Sequence, residues 1–390
     1  MKHFIRIFSI MLCLMLLAAC GSEAPGSTGT PETTQATAAT TAAQAEGIRN
    51  IIIIIGDGTG DAQLQAGELS AGKTFCFRDW QHAFSNTDSL HADGTVGKLT
   101  DSAAGGTALA TGQLTTNGKV AQPYNSTDPL KTILDYAKEQ GKATGVVSTD
   151  TMHGATPAAF SGHAVSREDS LTILNTQLDS DIDLLCATYN AEAGGMKSAA
   201  ESAGYTFTDF SSKLGKTMDA EKAYWLLDMD GSNPPDKLEK IVPKAIEFLS
   251  KDPDGFVMMI EQAHVDKYCH SNEIEGAQLC ANSLNNTVEA ILQWCEGRED
   301  TAIIITADHE TGGLSVSSEE IYEHRYKSPQ GNTVYYQFTS TGHTQAPVPV
   351  YFYGFEADLE PYYLDEEKTT IKNINIFDIM LDLLNNPVRK

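Results

Sequence analysis

The chain has 390 residues, 41% of them hydrophobic and 20% charged, with a formal net charge of −25. That length and composition describe a globular chain able to bury a sizeable core, as one large domain or two ordinary ones. The acidic balance repels nucleic acid and anionic membrane surfaces, so an anionic substrate would need a local cation, and the excess of carboxylates favours bound metal as its source.

Taken in chain order, Lys2 and Arg6 open a positive start, followed by the apolar run Ile7–Ala19. At about 13 residues that run is too short to span a bilayer and reads as an export signal. It ends Leu17-Ala18-Ala19-Cys20-Gly21, which resembles the bacterial lipoprotein cleavage box. By that resemblance Cys20 carries lipid, and the chain is anchored on the outer side of the cytoplasmic membrane or in the periplasm. An ordinary secretory peptide that happens to end near a cysteine is the other reading. Residues 21–47 are Thr, Ala, Ser, Pro, Gln and Gly without a hydrophobic period, and read as a disordered tether. The folded part, residues 48–390, retains Cys76, Cys186, Cys269, Cys280 and Cys295. At most two disulfides fit, and a Cys269–Cys280 bridge is conceivable, but connectivity is not legible from spacing.

Short apolar, β-branched runs recur at Ile51–Ile55, Thr144–Ser148, Ile182–Cys186, Phe256–Ile260, Ala302–Thr306 and Val348–Tyr353. Amphipathic stretches lie between them at Leu130–Gln140, Asp236–Ser250, Glu273–Trp294 and Asn375–Leu384. Strand and helix alternate, and the strand runs barely alternate in polarity. Both features predict one α/β domain, a three-layer sandwich whose mainly parallel central sheet is covered on both faces by helices. Ligands then belong at the carboxyl ends of the strands.

Polar residues that can bind metal follow those runs directly. Asp57 stands in Gly56-Asp57-Gly58-Thr59-Gly60, although an Asp between glycines is most often a turn residue. Glu261, His264, Asp266, Lys267 and His270 crowd the loop expected after Val257–Ile260, and Asp308-His309 follows Ala302–Thr306. His343 precedes the last strand. Such a set suits zinc through imidazole and carboxylate, and magnesium through oxygen. Ser102 lies in Thr100-Asp101-Ser102-Ala103-Ala104-Gly105-Gly106, a small-residue segment that predicts a helix start capped by Asp101 or Thr100. Ser102 then sits where free N–H groups favour an alkoxide and an incoming phosphate, or it serves only as a cap.

Asp57 in its glycine turn, Asp-Ser-Ala-Ala at 101–104, Ala155-Thr156-Pro157-Ala158-Ala159-Phe160 and the three late metal motifs together resemble the alkaline phosphatase family, in the family's order. The resemblance implies an exported phosphomonoesterase that forms a phosphoserine at Ser102 and releases inorganic phosphate. It implies two zinc ions, one held by Asp266, His270 and His343, the other by Asp57, Asp308 and His309. It implies one magnesium on Asp57, Glu261 and Thr156. Arg167 matches an arginine that forks two phosphate oxygens, and Lys267 a lysine that some members use near the phosphate. Small phosphomonoesters are the implied substrates, and dimers are common in the family.

One position departs from the family's pattern. The residue before Ala155-Thr156 is Asp or His in many members and contributes to the magnesium site, whereas here it is Gly154, preceded by His153. A shift to His153, or water, are the two ways to fill that gap. His163 and His264 read as packed histidines. The segment between Glu310 and His343 is short, so any accessory insertion there is small or absent. A phosphodiesterase of the same superfamily is the nearest rival, disfavoured by Ser102 and Arg167. A phosphate-binding lipoprotein without catalysis is the second, and it leaves the clustered Asp and His unexplained.

Overall fold

Five consecutive isoleucines, Ile51–Ile55, are all essentially inaccessible to solvent. Ile51, Ile53 and Ile55 join one hydrophobic cluster, while Ile52 and Ile54 join another. A strand whose successive side chains point to opposite faces can bury all five only if both faces are covered. Each buried isoleucine contributes about 1.5–3 kcal/mol from area alone.

The computed structural model describes residues 47–209, 211–227 and 238–386, all within the unit Ala45–Lys390. The expected signal, the Cys20 lipid site and the tether up to residue 46 lie outside the described residues. Ten strands form the main sheet, in the spatial order Thr370–Lys372, Gln81–Asn86, Val348–Tyr353, Thr301–Thr306, Asn50–Gly56, Phe256–Gln262, Ala143–Thr151, Leu184–Thr188, Lys222–Leu227 and Tyr205–Thr208. Neighbours from Thr301–Thr306 through Tyr205–Thr208 pair in parallel. Val348–Tyr353 runs antiparallel to both its neighbours, and Thr370–Lys372 returns parallel to Gln81–Asn86. Helices Ser102–Thr111, Ile133–Glu139, Ala155–Ser161, Ser170–Asp179 and Asn373–Asn385 contribute to the cluster on one face. Helices Asp61–Ala71, Leu238–Leu249 and Ile274–Trp294 contribute to the other. The expected α/β architecture of a largely parallel sheet between helix layers is the observed one.

All six expected strands are present, with Ile182–Cys186 displaced to Leu184–Thr188. Three sequence expectations need correction. The segment after Phe256–Gln262 is a helix, His264–His270, and no loop, so Asp266 and His270 share one face at a spacing of four residues. The Asp61–Ala71 helix escaped the hydrophobic pattern because it packs through small residues. A Cβ added at Gly67 would come within 3.0 Å of the Ala281 methyl, and no large apolar stripe is needed at so close a crossing. Cys269 and Cys280 form no bridge; both are free and buried in one small cluster with Val265 and Ala277.

The segment between Glu310 and His343 is small, as expected, and holds a three-stranded antiparallel sheet, Ser315–Ser317, Thr333–Gln337 and His324–Lys327. Among the described residues no helix is long and apolar enough to cross a membrane.

Candidate active site

Four adjacent central strands, Thr301–Thr306, Asn50–Gly56, Phe256–Gln262 and Ala143–Thr151, end on one rim of the sheet. Their carboxyl ends deliver Asp308-His309, Asp57, Glu261 and the approach to Thr156. The helix Ser102–Thr111 adds Ser102 at its first position, with Asp101 as the cap: its Oδ1 accepts from the Ala104 N–H at 3.0 Å. The whole helix is buried, and it reaches the rim because its residues are small. A Cβ at Gly105 would lie 2.8 Å from the Asp308 carbonyl oxygen.

That approach leaves the Ser102 hydroxyl 3.3 Å from His309 Nε2. His309 is wholly buried, with Nε2 3.3 Å from Asp308 Oδ2 and 3.7 Å from Asp57 Oδ1. Neither of those carboxylate oxygens has a hydrogen-bond partner. Thr311 fixes the imidazole. Its hydroxyl donates to Asp266 Oδ1 at 2.5 Å and so stands as an acceptor 3.2 Å from His309 Nδ1. Nδ1 therefore carries the proton, and Nε2 offers a bare lone pair to two carboxylates.

The same logic holds on the open side. His270 Nδ1 lies 2.6 Å from the Thr341 carbonyl and His343 Nδ1 lies 2.8 Å from that of Thr100. Carbonyls only accept, so both Nδ1 atoms carry a proton, and in the neutral rings both Nε2 atoms are acceptors. Those two acceptors face each other at 3.2 Å, with Asp266 Oδ1 at 3.3 Å from His270 and 3.5 Å from His343. A short ladder pairing Glu310–Thr311 with His343–Thr344 brings His343 here and stacks its ring on His309 at 3.5 Å.

Lone pairs converging without a proton between them call for a cation. Burial, and then the neighbouring Asp308, Asp266, Glu261 and Asp150 carboxylates, push the Asp57 carboxyl well above its ordinary range. Burial and Asp266 do the same to Asp308. Burial and the nearby His343 and His270 hold His309 well below the usual imidazole value. These are the signatures of a site whose compensating charge is a metal ion. The nitrogen and oxygen donors of Asp266, His270 and His343, and those of Asp57, Asp266 and His309, each converge closely enough to share one ion.

A third group is all oxygen. Thr156, near the start of helix Ala155–Ser161, donates to Asp57 Oδ2 at 3.4 Å, and Ser148 donates to Glu261 Oε2. Glu261 is buried, its Oε1 has no partner, and burial followed by the Asp150 charge raises its carboxyl to about 7. Lys267 pairs with Asp150 at 2.6 Å. Arg167 donates to Asp101 Oδ2 at 3.4 Å, beside the capped helix start that carries Ser102. His264 meets Thr149 Oγ1 at 3.1 Å, and His163 Nδ1 meets the Ala121 carbonyl at 3.3 Å.

All eleven candidate residues thus border one rim. The sequence reading missed Thr311, which orients both Asp266 and His309, Ser148, the last residue of the run Thr144–Ser148, and Asp150, two residues beyond it. The strand-end rule applied to that run would have found Asp150.

A family model described as alkaline phosphatase matches residues 48–184 and 214–376. Alkaline phosphatase 4 of Bacillus subtilis (strain 168) is 30% identical over 299 residues, covering 70% of this chain and 63% of that protein. Alkaline phosphatase of Escherichia coli (strain K12) is 29% identical over 335 residues, covering 67% and 70%. The chain spans 63 and 64% of the length of two Bacillus subtilis relatives, alkaline phosphatases 4 and 3. Among solved structures, a cold-active alkaline phosphatase from Shewanella sp. superimposes with a TM-score of 0.76 at 26% identity, covering 86% of this chain and 99% of that one. The alkaline phosphatase of the Antarctic bacterium TAB5 gives a TM-score of 0.73 at 25% identity, covering 87% and 99%.

Proposed function

Because the chain belongs to the alkaline phosphatase family, we propose that it is an exported, lipid-anchored, metal-dependent phosphomonoesterase that hydrolyses small phosphate monoesters through a phosphoserine at Ser102. One observation carries the reading: the unprotonated Nε2 of His309 and the unpartnered carboxylate oxygens of Asp57 and Asp308 converge beside the hydroxyl of a serine at a helix start. Export and the anchor at Cys20 rest on the signal-like N-terminus.

The donor chemistry fits two zinc ions, one on Asp266, His270 and His343 and one on Asp57, Asp308 and His309. The oxygen-only group of Asp57, Thr156 and Glu261 fits magnesium. When bound, these ions supply positive charge that neutralises the phosphate and acidifies a hydroxyl.

The protein's own groups do the rest. The Ser102 oxygen attacks phosphorus, the Oγ–P bond forms, and the bond to the ester oxygen breaks, releasing an alcohol once that oxygen takes a proton. Backbone N–H groups at the start of helix Ser102–Thr111 face the phosphoryl oxygens. The Arg167 guanidinium, held by Asp101 at 3.4 Å, is placed to fork two of those oxygens. Water then attacks phosphorus, the Oγ–P bond breaks, and Ser102 and inorganic phosphate are released.

Hydrolysis of a chromogenic phosphomonoester tests this. Chelation should abolish turnover and zinc with magnesium restore it, and Ser102→Ala should cost at least about a thousandfold. Comparable turnover in a folded, zinc-loaded Ser102→Ala variant would remove Ser102 from its role. Faster hydrolysis of a diester than of the monoester would make the protein a phosphodiesterase instead.

A further inference from the structure

Gly154 occupies the position where many family members carry an Asp or His ligand, and its backbone gives no reason for glycine: φ is −51°, open to any residue. The reason is steric. A Cβ at 154 would stand 2.6 Å from Asp150 Oδ2 and 2.9 Å from Asp150 Cγ, so any side chain there would drive that carboxylate out of its place. The space a side chain at 154 would need is filled by a carboxylate from four residues earlier.

Asp150 is linked to the oxygen-only group through one shared hydroxyl and held in place by two further bonds. Its N–H donates to Ser148 Oγ at 2.8 Å, and the same hydroxyl donates to Glu261. Its Oδ1 accepts from the Thr151 N–H at 2.8 Å and from Lys267 at 2.6 Å. The group it joins contains a buried carboxylate oxygen without a partner, Glu261 Oε1. His153, the neighbour that a one-residue shift would recruit, has its own Nδ1 buried and unpartnered.

We propose that Asp150 replaces the missing ligand at position 154 as the carboxylate that completes a magnesium position with Asp57, Thr156 and Glu261. The carboxylate and the glycine form a matched pair: one provides the charge and the other the room. Its Oδ1 is held by Lys267, so Oδ2, the oxygen lying over Gly154, is the one left for the ion. Lys267 thereby acts as a positioning residue for Asp150. This inference rests on the reading of the oxygen-lined group as a cation position.

The test is magnesium uptake by the zinc-loaded full chain, followed by equilibrium dialysis, with zinc content measured alongside. Asp150→Asn should weaken magnesium binding about 10- to 100-fold while zinc content holds. Gly154→Asp alone forces two carboxylates into one space and should bind magnesium more weakly than a variant that keeps only one of them. The double variant Asp150→Ala/Gly154→Asp should recover most of the loss, with the Thr151 carbonyl, 3.0 Å from the new Cβ, giving way by a few tenths of an ångström. A merely structural Asp150–Lys267 pair would alter thermal stability and leave magnesium affinity where it was. Wild-type affinity in Asp150→Asn, or a double variant worse than either single, overturns the proposal. A wild-type protein that takes up zinc but no magnesium removes the position altogether, and one that takes up neither sinks the proposed function itself.

Discussion

Asp266, His270 and His343 stand on the open side of the site, with the His270 side chain 40% exposed, whereas Asp57, Asp308 and His309 lie deeper, with the Asp308 and His309 side chains wholly buried. Both groups use the same residue types and the same device, an imidazole whose Nδ1 is pinned so that Nε2 is bare. Their surroundings differ. Water can reach the open group and solvate its lone pairs, but none reaches Asp308 Oδ2 or Asp57 Oδ1. The open group's one carboxylate, Asp266, accepts from Thr311, whereas the unpartnered oxygens of the deep group are costly to bury. Without a counter-ion the deep group therefore strains the fold, whereas the open group costs the metal-free fold little.

The contrast can be broken at Asp308. In metal-free protein, Asp308→Asn should raise unfolding stability by about 1–3 kcal/mol by removing a buried like charge, yet cut turnover of the metal-loaded enzyme at least about a hundredfold. Urea unfolding with chelator, set beside initial rates with metal, reads both effects. A variant less stable than its parent without metal would show that the carboxylate was not under strain.

His270→Asn probes the open group. Zinc affinity should fall about 10- to 100-fold, with metal-free stability unchanged within about 0.5 kcal/mol, as for other solvated sites. Equal stability losses at positions 270 and 308 would erase the distinction between the groups.

Acidity sharpens it further. Glu261 titrates at about 7 in the fold against an ordinary 4.5, because burial and the Asp150 charge disfavour ionisation. The folded state then holds a proton that the unfolded chain has released, so stability falls as pH rises through that window. His309 works in the opposite sense below its ordinary value of 6.5, since the unfolded chain takes up a proton that the buried ring refuses. Above that value the His309 effect fades, and the raised Asp57 and Asp308 carboxyls act in the same direction as Glu261. Metal-free protein should lose about 1 kcal/mol between pH 6.5 and 8, and bound metal should remove that slope. A chelated protein of constant stability across this interval would argue that Glu261 is ionised in the fold.

A further effect concerns the frame that both groups share. Asp101→Ala deletes the cap of the serine helix and the acceptor for the Gly118 N–H at 2.9 Å, and should cost about 1–2 kcal/mol. Thermal unfolding measures it, and a shift no larger than that of an exposed Asp→Ala change would deny Asp101 a capping role.

The sequence by itself determined the strand runs, the two-faced burial of the sheet and the placement of Asp57, Glu261 and Asp308-His309 after strands. Those features are local: apolar runs and the turns that end them are encoded within a few residues. Ser102 at a helix start was legible for the same reason, since capping and small-residue composition act over one turn. Tertiary structure alone decided which lone pairs meet. Thr311 fixes Asp266 from 45 residues away, His343 reaches the Thr100 carbonyl across 243, and the ladder joining Glu310–Thr311 to His343–Thr344 sets the stack on His309. The room left by Gly154 became meaningful only once the chain had folded Asp150 back over it. Side-chain periodicity records how each segment faces the core, and it carries no information on distances between segments that the sheet later makes neighbours.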